Sequence, residues 1–245
     1  MKEDFILFED KSLLVVNKPA GMVVQGAKDL EVSLLNLLKD YLKKRDNKPG
    51  NVFLAVVHRL DKPVSGALVF AKRTKAARRL TESFKQKEVG KFYLAEVEGI
   101  LKGQNLIRAY LKWDQKFHKA LVFWEPKEGA KESLTYYETL QVVKNRSLVL
   151  LFPITGRKHQ LRAVLSSLGF PVVGDVRYGA KRLVNQGKAI LLHACFICFP
   201  HPLEKEPVEV LAPLPQYFSF PNLDKTLNLE FLNKKFQDLK KLYQE

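Results

Sequence analysis

Val57-His58-Arg59-Leu60-Asp61-Lys62-Pro63-Val64-Ser65-Gly66 lies between two apolar runs, and those runs decide the fold. Residues 52–57 are unbroken apolar, and so are residues 67–71. Both are short, rich in β-branched or aromatic side chains and bounded by turn residues, the pattern of two buried strands. A connection between such strands is ordinarily short and bland. This one carries cations, an anion and an imidazole. Pro63 removes a backbone donor and Gly66 permits a tight turn, which predicts that Asp61 is presented on a stiff loop. A carboxylate held at the lip of a sheet suits nucleophilic or acid–base chemistry. An ion pair from Asp61 to Arg59 or Lys62 that merely closes a turn uses the same residues, so residue types alone leave both readings open.

Outward from this stretch the chain alternates between the two periods. Residues 5–8 and 13–16 flank Glu9-Asp10-Lys11-Ser12 as a hairpin, and Asn17-Lys18-Pro19 ends its second strand. Leu34, Leu35, Leu38, Tyr41 and Leu42 recur at helical spacing, predicting an amphipathic helix over about 30–44 that Asn47-Lys48-Pro49-Gly50 breaks. Thr74 is placed to cap a second helix, with a buried stripe of Ala77, Leu80 and Phe84 and an end at Gly90. Residues 91–99 alternate as a strand, and strand-like runs follow at 106–112, 121–124, 133–143 and 148–152. Such a series suggests antiparallel pairing, unlike regular βαβ alternation. A helix then begins beyond Gly156, with Leu161, Leu165 and Leu168 inward and Gly169 as its stop. Residues 189–199 read as one long buried strand. Leu227, Phe231, Leu232, Phe236, Leu239 and Leu242 mark a C-terminal amphipathic helix within 222–245. The expected class is α+β, one domain over 1–245 built on a mixed, mainly antiparallel central sheet flanked by helices.

Forty-one Lys and Arg against 26 Asp and Glu give a net charge of +15, a field that draws polyanions. Residues 72–91 concentrate Lys72, Arg73, Lys75, Arg78, Arg79, Lys85, Lys87 and Lys91 against Glu82 and Glu88. A solvated helix face accounts for such a run, and so does a phosphate-tracking surface through Arg78 and Arg79. No apolar stretch approaches the ~18 residues of a membrane span. The N-terminus is acidic where a targeting signal is basic, so a cytoplasmic protein with nucleic acid as partner is expected. Arg162 lies on a helix face beside the core, where an unpaired guanidinium is costly and an anionic partner is required. His193 interrupts an apolar strand and must be hydrogen-bonded.

Cys195 and Cys198 form a C-x-x-C, but residues three apart on a strand point to opposite faces and no second pair completes a zinc site. Free buried thiols are expected, with no metal and no cofactor. No phosphate-binding glycine loop is present. A hydrolase using Asp61 would want a second acid or base, for which Glu96 and Glu98 are poor candidates, and no nucleophile elbow exists.

His58-Arg59-Leu60-Asp61-Lys62 with Ser65-Gly66 resembles the signature of the RluA-type pseudouridine synthases. Further blocks resemble that family in its own order: Asn17-Lys18-Pro19-Ala20-Gly21, Lys91-Phe92-Tyr93-Leu94-Ala95, and Thr155-Gly156-Arg157-Lys158-His159-Gln160-Leu161-Arg162. So do Gly174-Asp175 with Tyr178-Gly179, Leu192-His193-Ala194, His201-Pro202 and Ala212-Pro213-Leu214-Pro215. The resemblance spans about residues 5–217. One departure is plain: relatives often carry His two residues after the block's last Arg, and here Ala163-Val164 follow Arg162.

The resemblance implies an RNA uridine isomerase with a central active-site cleft and no cofactor. It breaks the C1′–N1 bond, turns the base and rejoins it through C5, after the uridine has left its stack. It implies Asp61 as the catalytic residue, Tyr93 against the uracil ring and Arg162 paired with Asp61. Arg59 enters the RNA stem, His58 beside it belongs to the substrate-binding set, Leu192 packs against the target base, and Lys18 lies near phosphate at the cleft edge. Attack of Asp61 on C1′ and removal of the 2′ proton remain equally open. Relatives often carry a small N-terminal RNA-binding domain; the first strand here begins at about Phe5, which leaves no room for one. A monomer acting on a ribosomal or transfer RNA stem-loop is expected. A non-catalytic RNA-binding protein of the same fold could dispense with Asp61, Tyr93 and Arg162, and all three are present.

Overall fold

The computed structural model describes residues 5–26, 32–218, 220 and 227–244. In chain order the elements are β1 (Ile6–Glu9), β2 (Leu13–Lys18), α1 (Leu34–Arg45), β3 (Ala55–Val56), β4 (Ser65–Ala71), α2 (Thr74–Lys85), β5 (Gly90–Glu98) and β6 (Gln104–Asp114). There follow β7 (Lys119–Phe123), β8 (Lys131–Val143), β9 (Arg146–Pro153), α3 (Gln160–Ser167), β10 (Leu192–Phe199), β11 (Val208–Leu211) and α4 (Leu229–Gln244). The class is α+β, a mixed sheet flanked by four helices among the described residues. None of those helices is long and apolar enough to cross a membrane. The chain divides into two compact units, residues 1–90 with 196–213, and residues 91–195 with 214–245.

In the first unit β2 pairs antiparallel with β1 and with β4, from Leu13↔Ala71 to Lys18↔Gly66. The turn of the β1–β2 hairpin is fixed by Asp10, whose Oδ1 accepts from the Ser12 and Leu13 N–H groups at 2.6 Å each. Its Oδ2 accepts from His201 Nε2 at 2.8 Å. His201 Nδ1 in turn accepts from the Leu203 and Glu204 N–H groups at 3.2 and 2.7 Å. Asp10, His201 and Glu204 offer ligand atoms within 4.8 Å of one another. Both ring nitrogens of His201 are already engaged, so the cluster is a clip between the hairpin and the 201–204 turn. Val15, Val69, Ala76 and Leu80 share one apolar cluster with Ile197, Phe199, Val208 and Val210 from the later segment.

Two cations serve this unit through one carboxylate. Lys72 is half-buried, its Nζ 2.6 Å from Glu9 Oε1 and 2.6 Å from the Asp10 carbonyl. Arg45 binds the same carboxylate through two nitrogens at 2.6 and 2.8 Å. The Arg45 hydrogen bonds, with Lys72 beside them, hold Glu9 down to about 2.

Three boundaries differ from the sequence expectation. The first helix begins at Leu34 because Ser33 caps it, its side chain accepting from Asn36 N–H at 3.3 Å; residues 30 and 31 lie outside the described residues. Helix α2 is capped by Arg73 with no side-chain hydrogen bond, and Thr74 is its first helical residue. It ends at Lys85, five residues before Gly90, which opens β5. The termination is a Schellman pattern, with Glu88 N–H to the Ser83 carbonyl and Lys87 N–H to that of Phe84, and Lys87 stands in the left-handed region at φ 57°. A lysine takes the place usually left to glycine. Its buried residues are Ala76 and Leu80, while Ala77 and Phe84 are only partly covered.

In the second unit β5, β9, β8, β6 and β7 pair antiparallel in that spatial order, with a bulge at Thr139/Gln141 in β8. Ile107, Ala109, Leu111 and Ala120 of β6 and β7 meet Ala163 and Val164 of α3 and Tyr178. Helix α3 closes on Gly169 at φ 87°, with Phe170 N–H to the Leu165 carbonyl and Gly169 N–H to that of Ser166. Helix α4 lays Phe236 on Phe152 at 5.8 Å between ring centroids, and Lys235 pairs with Glu138. Leu232, Phe236 and Leu239 are buried as the periodicity predicts. The expected strand at 189–199 begins only at Leu192. Cys195 and Cys198 are buried and not joined in a disulfide, and burial pushes the Cys195 thiol up to about 12.

Candidate active site

The chain leaves the sheet after Val56, whose register partner is Phe70. The next pair in that register would be Val57 with Val69. His58 takes the place instead, its Nε2 accepting the Val69 N–H at 3.0 Å while its ring lies 4.8 Å from Phe84. His58, counted above among the substrate-binding residues, thus holds the start of the loop onto β4. Arg59 is exposed. Leu60 and Val64 are buried and fasten the loop on either side of Asp61, Lys62 and Pro63. The Asp61 carbonyl accepts from the Val64 N–H at 3.0 Å, and the chain enters β4 through Gly66 at φ 119°, where a side chain would be strained. The Asp61 side chain is half-buried on this doubly anchored turn.

Lys18 corrects its expected role. It is fully buried, out of reach of a phosphate in solvent. Its Nζ donates to the Pro19 carbonyl at 2.9 Å and the Lys62 carbonyl at 3.2 Å, and the Gly21 N–H donates to the same Lys62 oxygen at 2.8 Å. The Asn17–Gly21 block thus braces the peptide that follows Asp61. Burial lowers the Lys18 ammonium to about 7, and the charge of Asp61 acts in the opposite sense. Below about pH 7 both folded and unfolded chains carry this proton and the burial cost is present in full. Between about 7 and 10.5 only the unfolded chain keeps it, so stability from this group rises with pH. Lys18→Met should remove that rise, read as the difference between wild-type and variant unfolding free energies from pH 7 to 10. It should also lower turnover, because the Pro19 carbonyl loses its donor and the loop its brace. Parallel stability curves would show that Lys18 carries no such burden.

Of the basic run at 72–91, Lys75, Arg78, Lys85 and Lys87 are exposed on or just beyond α2. Arg79 donates from Nη1 to the Pro202 carbonyl at 2.6 Å, tying the helix to the 201–204 turn. Lys91 is half-buried, and burial lowers it to about 8.

In the second unit Tyr93 stands on β5, 8% exposed, and Leu192 opens β10, 2% exposed. Arg162 is 4% exposed on the first turn of α3. One anionic partner of Arg162 is Asp175, a residue quoted above for its motif alone: Nε and Nη2 donate to the two carboxylate oxygens at 2.6 and 2.8 Å. Its guanidinium carbon lies 5.1 Å from the Tyr178 ring. This bidentate fork ties the Gly174-Asp175 block to the arginine block. The turn before α3 is organised by Gln160, whose Oε1 accepts from Arg157 N–H and the Thr155 hydroxyl while its Nε2 donates to the Leu134 carbonyl and the Thr155-facing strand at Thr135 Oγ1. All four of its hydrogen-bonding positions are used, so its burial costs little. The departure at Val164 is also explained: the side chain is 1% exposed within the Ile107–Leu111 cluster, where an apolar residue belongs. His193 is fully buried, with Phe218 at 6.0 Å.

Residues 12–167 match the model of the RNA pseudouridylate synthase family. The chain is 34% identical over 226 residues to a ribosomal large subunit pseudouridine synthase C of Buchnera aphidicola, covering 88% of this chain and 68% of that protein. It is 36% identical over 224 residues to an uncharacterised RNA pseudouridine synthase of Zymomonas mobilis, covering 87% and 95%. Among solved structures it resembles human RNA pseudouridylate synthase domain containing 1, with a TM-score of 0.70 and 31% identity over 95% of this chain and 94% of that one. Human RNA pseudouridylate synthase domain containing 4 gives a TM-score of 0.72 at 26% identity, over 87% and 89%. A braced aspartate loop, a buried bidentate arginine and a family match across both thus agree, and the chain belongs to the RNA pseudouridylate synthases, isomerases that convert uridine in RNA to pseudouridine.

Proposed function

We propose that this chain modifies large-subunit ribosomal RNA, with Asp61 as its catalytic residue. The observation that carries the target is the identity of 34–36% over 88% of the chain to relatives named ribosomal large subunit pseudouridine synthase C. The braced, half-buried Asp61 turn supports the catalytic role. In this reading Asp61 acts as the ionised carboxylate on the ribose, Tyr93 lies against the uracil ring, and Arg162 serves the site from its fork with Asp175. Arg59 has the flat cation that can occupy the space of the flipped base, and Leu192 supplies apolar contact to it. The protein works as a single catalytic domain, as a monomer in the cytoplasm. Mapping pseudouridine in ribosomal and transfer RNA from cells with and without the gene tests the target. Loss of one or a few large-subunit sites is expected, and loss confined to transfer RNA would overturn it.

RNA affinity should fall steeply with salt, since exposed cations on α2 displace counterions. Lys75 and Arg78 are the pair to remove, because Arg79 is committed to Pro202. Lys75→Ala with Arg78→Ala should lower the log–log slope by about one to two, with uniform weakening across sequences. An unchanged slope would move the RNA to another surface.

A further inference from the structure

The hairpin of β6 and β7 carries a feature that uridine isomerisation does not use. Its four-residue turn at 115–118 is closed by the pair Asp114↔Lys119. At its tip Phe117 is 59% exposed. A large aromatic at a hairpin tip gains nothing from folding, yet this one is held firmly. Asp114 Oδ1 accepts the Phe117 N–H at 2.9 Å, and Arg177 Nη1 donates to the His118 carbonyl at 3.2 Å. Tyr178 accepts the Ala120 N–H at 2.7 Å and its hydroxyl lies 3.0 Å from His159 Nδ1, so the base of the hairpin is fixed to the start of α3. Cations surround the ring. Lys116 and Lys119 place Nζ 5.4 and 5.8 Å from its centroid, and Lys158 rests 3.3 Å above the neighbouring Trp113. The Asp114 carboxylate is engaged in the turn itself.

An exposed aromatic on a rigid, cationic mount is what an unpaired nucleotide requires: a face for the base and ammonium groups for its phosphates. A duplex offers no free base face. We infer that the 115–118 turn is a stacking platform for an unpaired nucleotide of the RNA substrate, with Phe117 under the base and Lys116 and Lys119 on the flanking phosphates. The inference rests on RNA being the substrate and adds a specificity-determining residue outside the site.

The test uses the full chain with a fluorescein-labelled twelve-nucleotide oligouridine and, for contrast, a blunt twelve-base-pair RNA duplex. Phe117→Ala should weaken oligouridine binding about 5- to 50-fold with an unchanged salt slope, and Phe117→Trp should retain it. Lys116→Ala with Lys119→Ala should lower the slope by about 1 to 1.5. Duplex binding should be insensitive to Phe117→Ala. Thermal unfolding should not move, since the side chain is in solvent. Failure of the wild type to bind oligouridine, an Ala variant within twofold of wild type, or equal losses on duplex and single strand would each overturn the platform. Turnover of a large-subunit RNA transcript, measured on the same preparations, judges the substrate separately: turnover with no Phe117 effect removes the platform and leaves the isomerase reading intact.

Discussion

Asp61→Asn should form pseudouridine at least about 10³-fold more slowly than wild type, the scale of loss when a positioned acid–base or nucleophilic group is removed. RNA affinity should stay within severalfold. The carboxamide keeps the shape and loses the charge, while the burial and backbone hydrogen bonds that anchor the loop are retained. Leu60 and Val64 stay buried, and the Val64 and Gly21 hydrogen bonds run to backbone carbonyls. Release of tritium from RNA carrying 5-tritiated uridine measures the rate, and filter retention measures affinity. Turnover near the wild-type rate would remove Asp61 from the chemistry. A side effect is expected as well. Asp61 is the charge that favours the Lys18 ammonium, so the Asn variant should push Lys18 further down.

Arg162→Met should carry the largest cost in stability. The Arg162 and Asp175 side chains are 5% and 2% exposed, and the guanidinium satisfies both carboxylate oxygens. Removing the cation strands a buried carboxylate at a cost of ~3–5 kcal/mol. Arg162→Lys restores charge without the two-donor plane, so recovery should be partial. Arg162→Met with Asp175→Leu should be less destabilised than the two single changes summed, because neither charge is then left alone. Urea unfolding of the four proteins closes the cycle. Strict additivity would show that the fork contributes no coupling.

The strands and the class were legible because apolar runs and alternation are local properties. Residues 133–143 and 148–152 emerged as β8 and β9 with small extensions. Helix α3 was legible through Leu161, Leu165 and Gly169, yet its whole first turn and a half is buried, Gln160 and Arg162 included. Polar residues on a buried helix look like a solvated face until their partners are known. Those partners, Thr135 and Asp175, lie 25 and 13 residues away. The end of α2 was misplaced because Lys87 adopts a backbone conformation that signals a stop only when glycine does it. Lys18 was misassigned for a related reason. Lysine is rarely fully buried, and only the convergence of two backbone carbonyls makes it tolerable here. Asp61 itself could be singled out by position, but the catalytic role proposed for it came only from the resemblance of the family's blocks.

The first unit is built from residues 1–90 and from 196–213, with Ile197, Phe199, Val208 and Val210 completing its apolar cluster. The ribosome makes its two halves at different times. At ~5–20 residues per second, on the order of ten seconds separate the emergence of the Asp61 loop from that of the strands that cover its frame. Through that interval the nascent chain carries two strongly basic helices, α1 and α2, beside an unfinished core. Cooperative folding of this unit must therefore wait for the late segment. Arrested chains ending before residue 196 should be cut by protease within β4, and chains long enough to expose residue 213 outside the exit tunnel should be protected there.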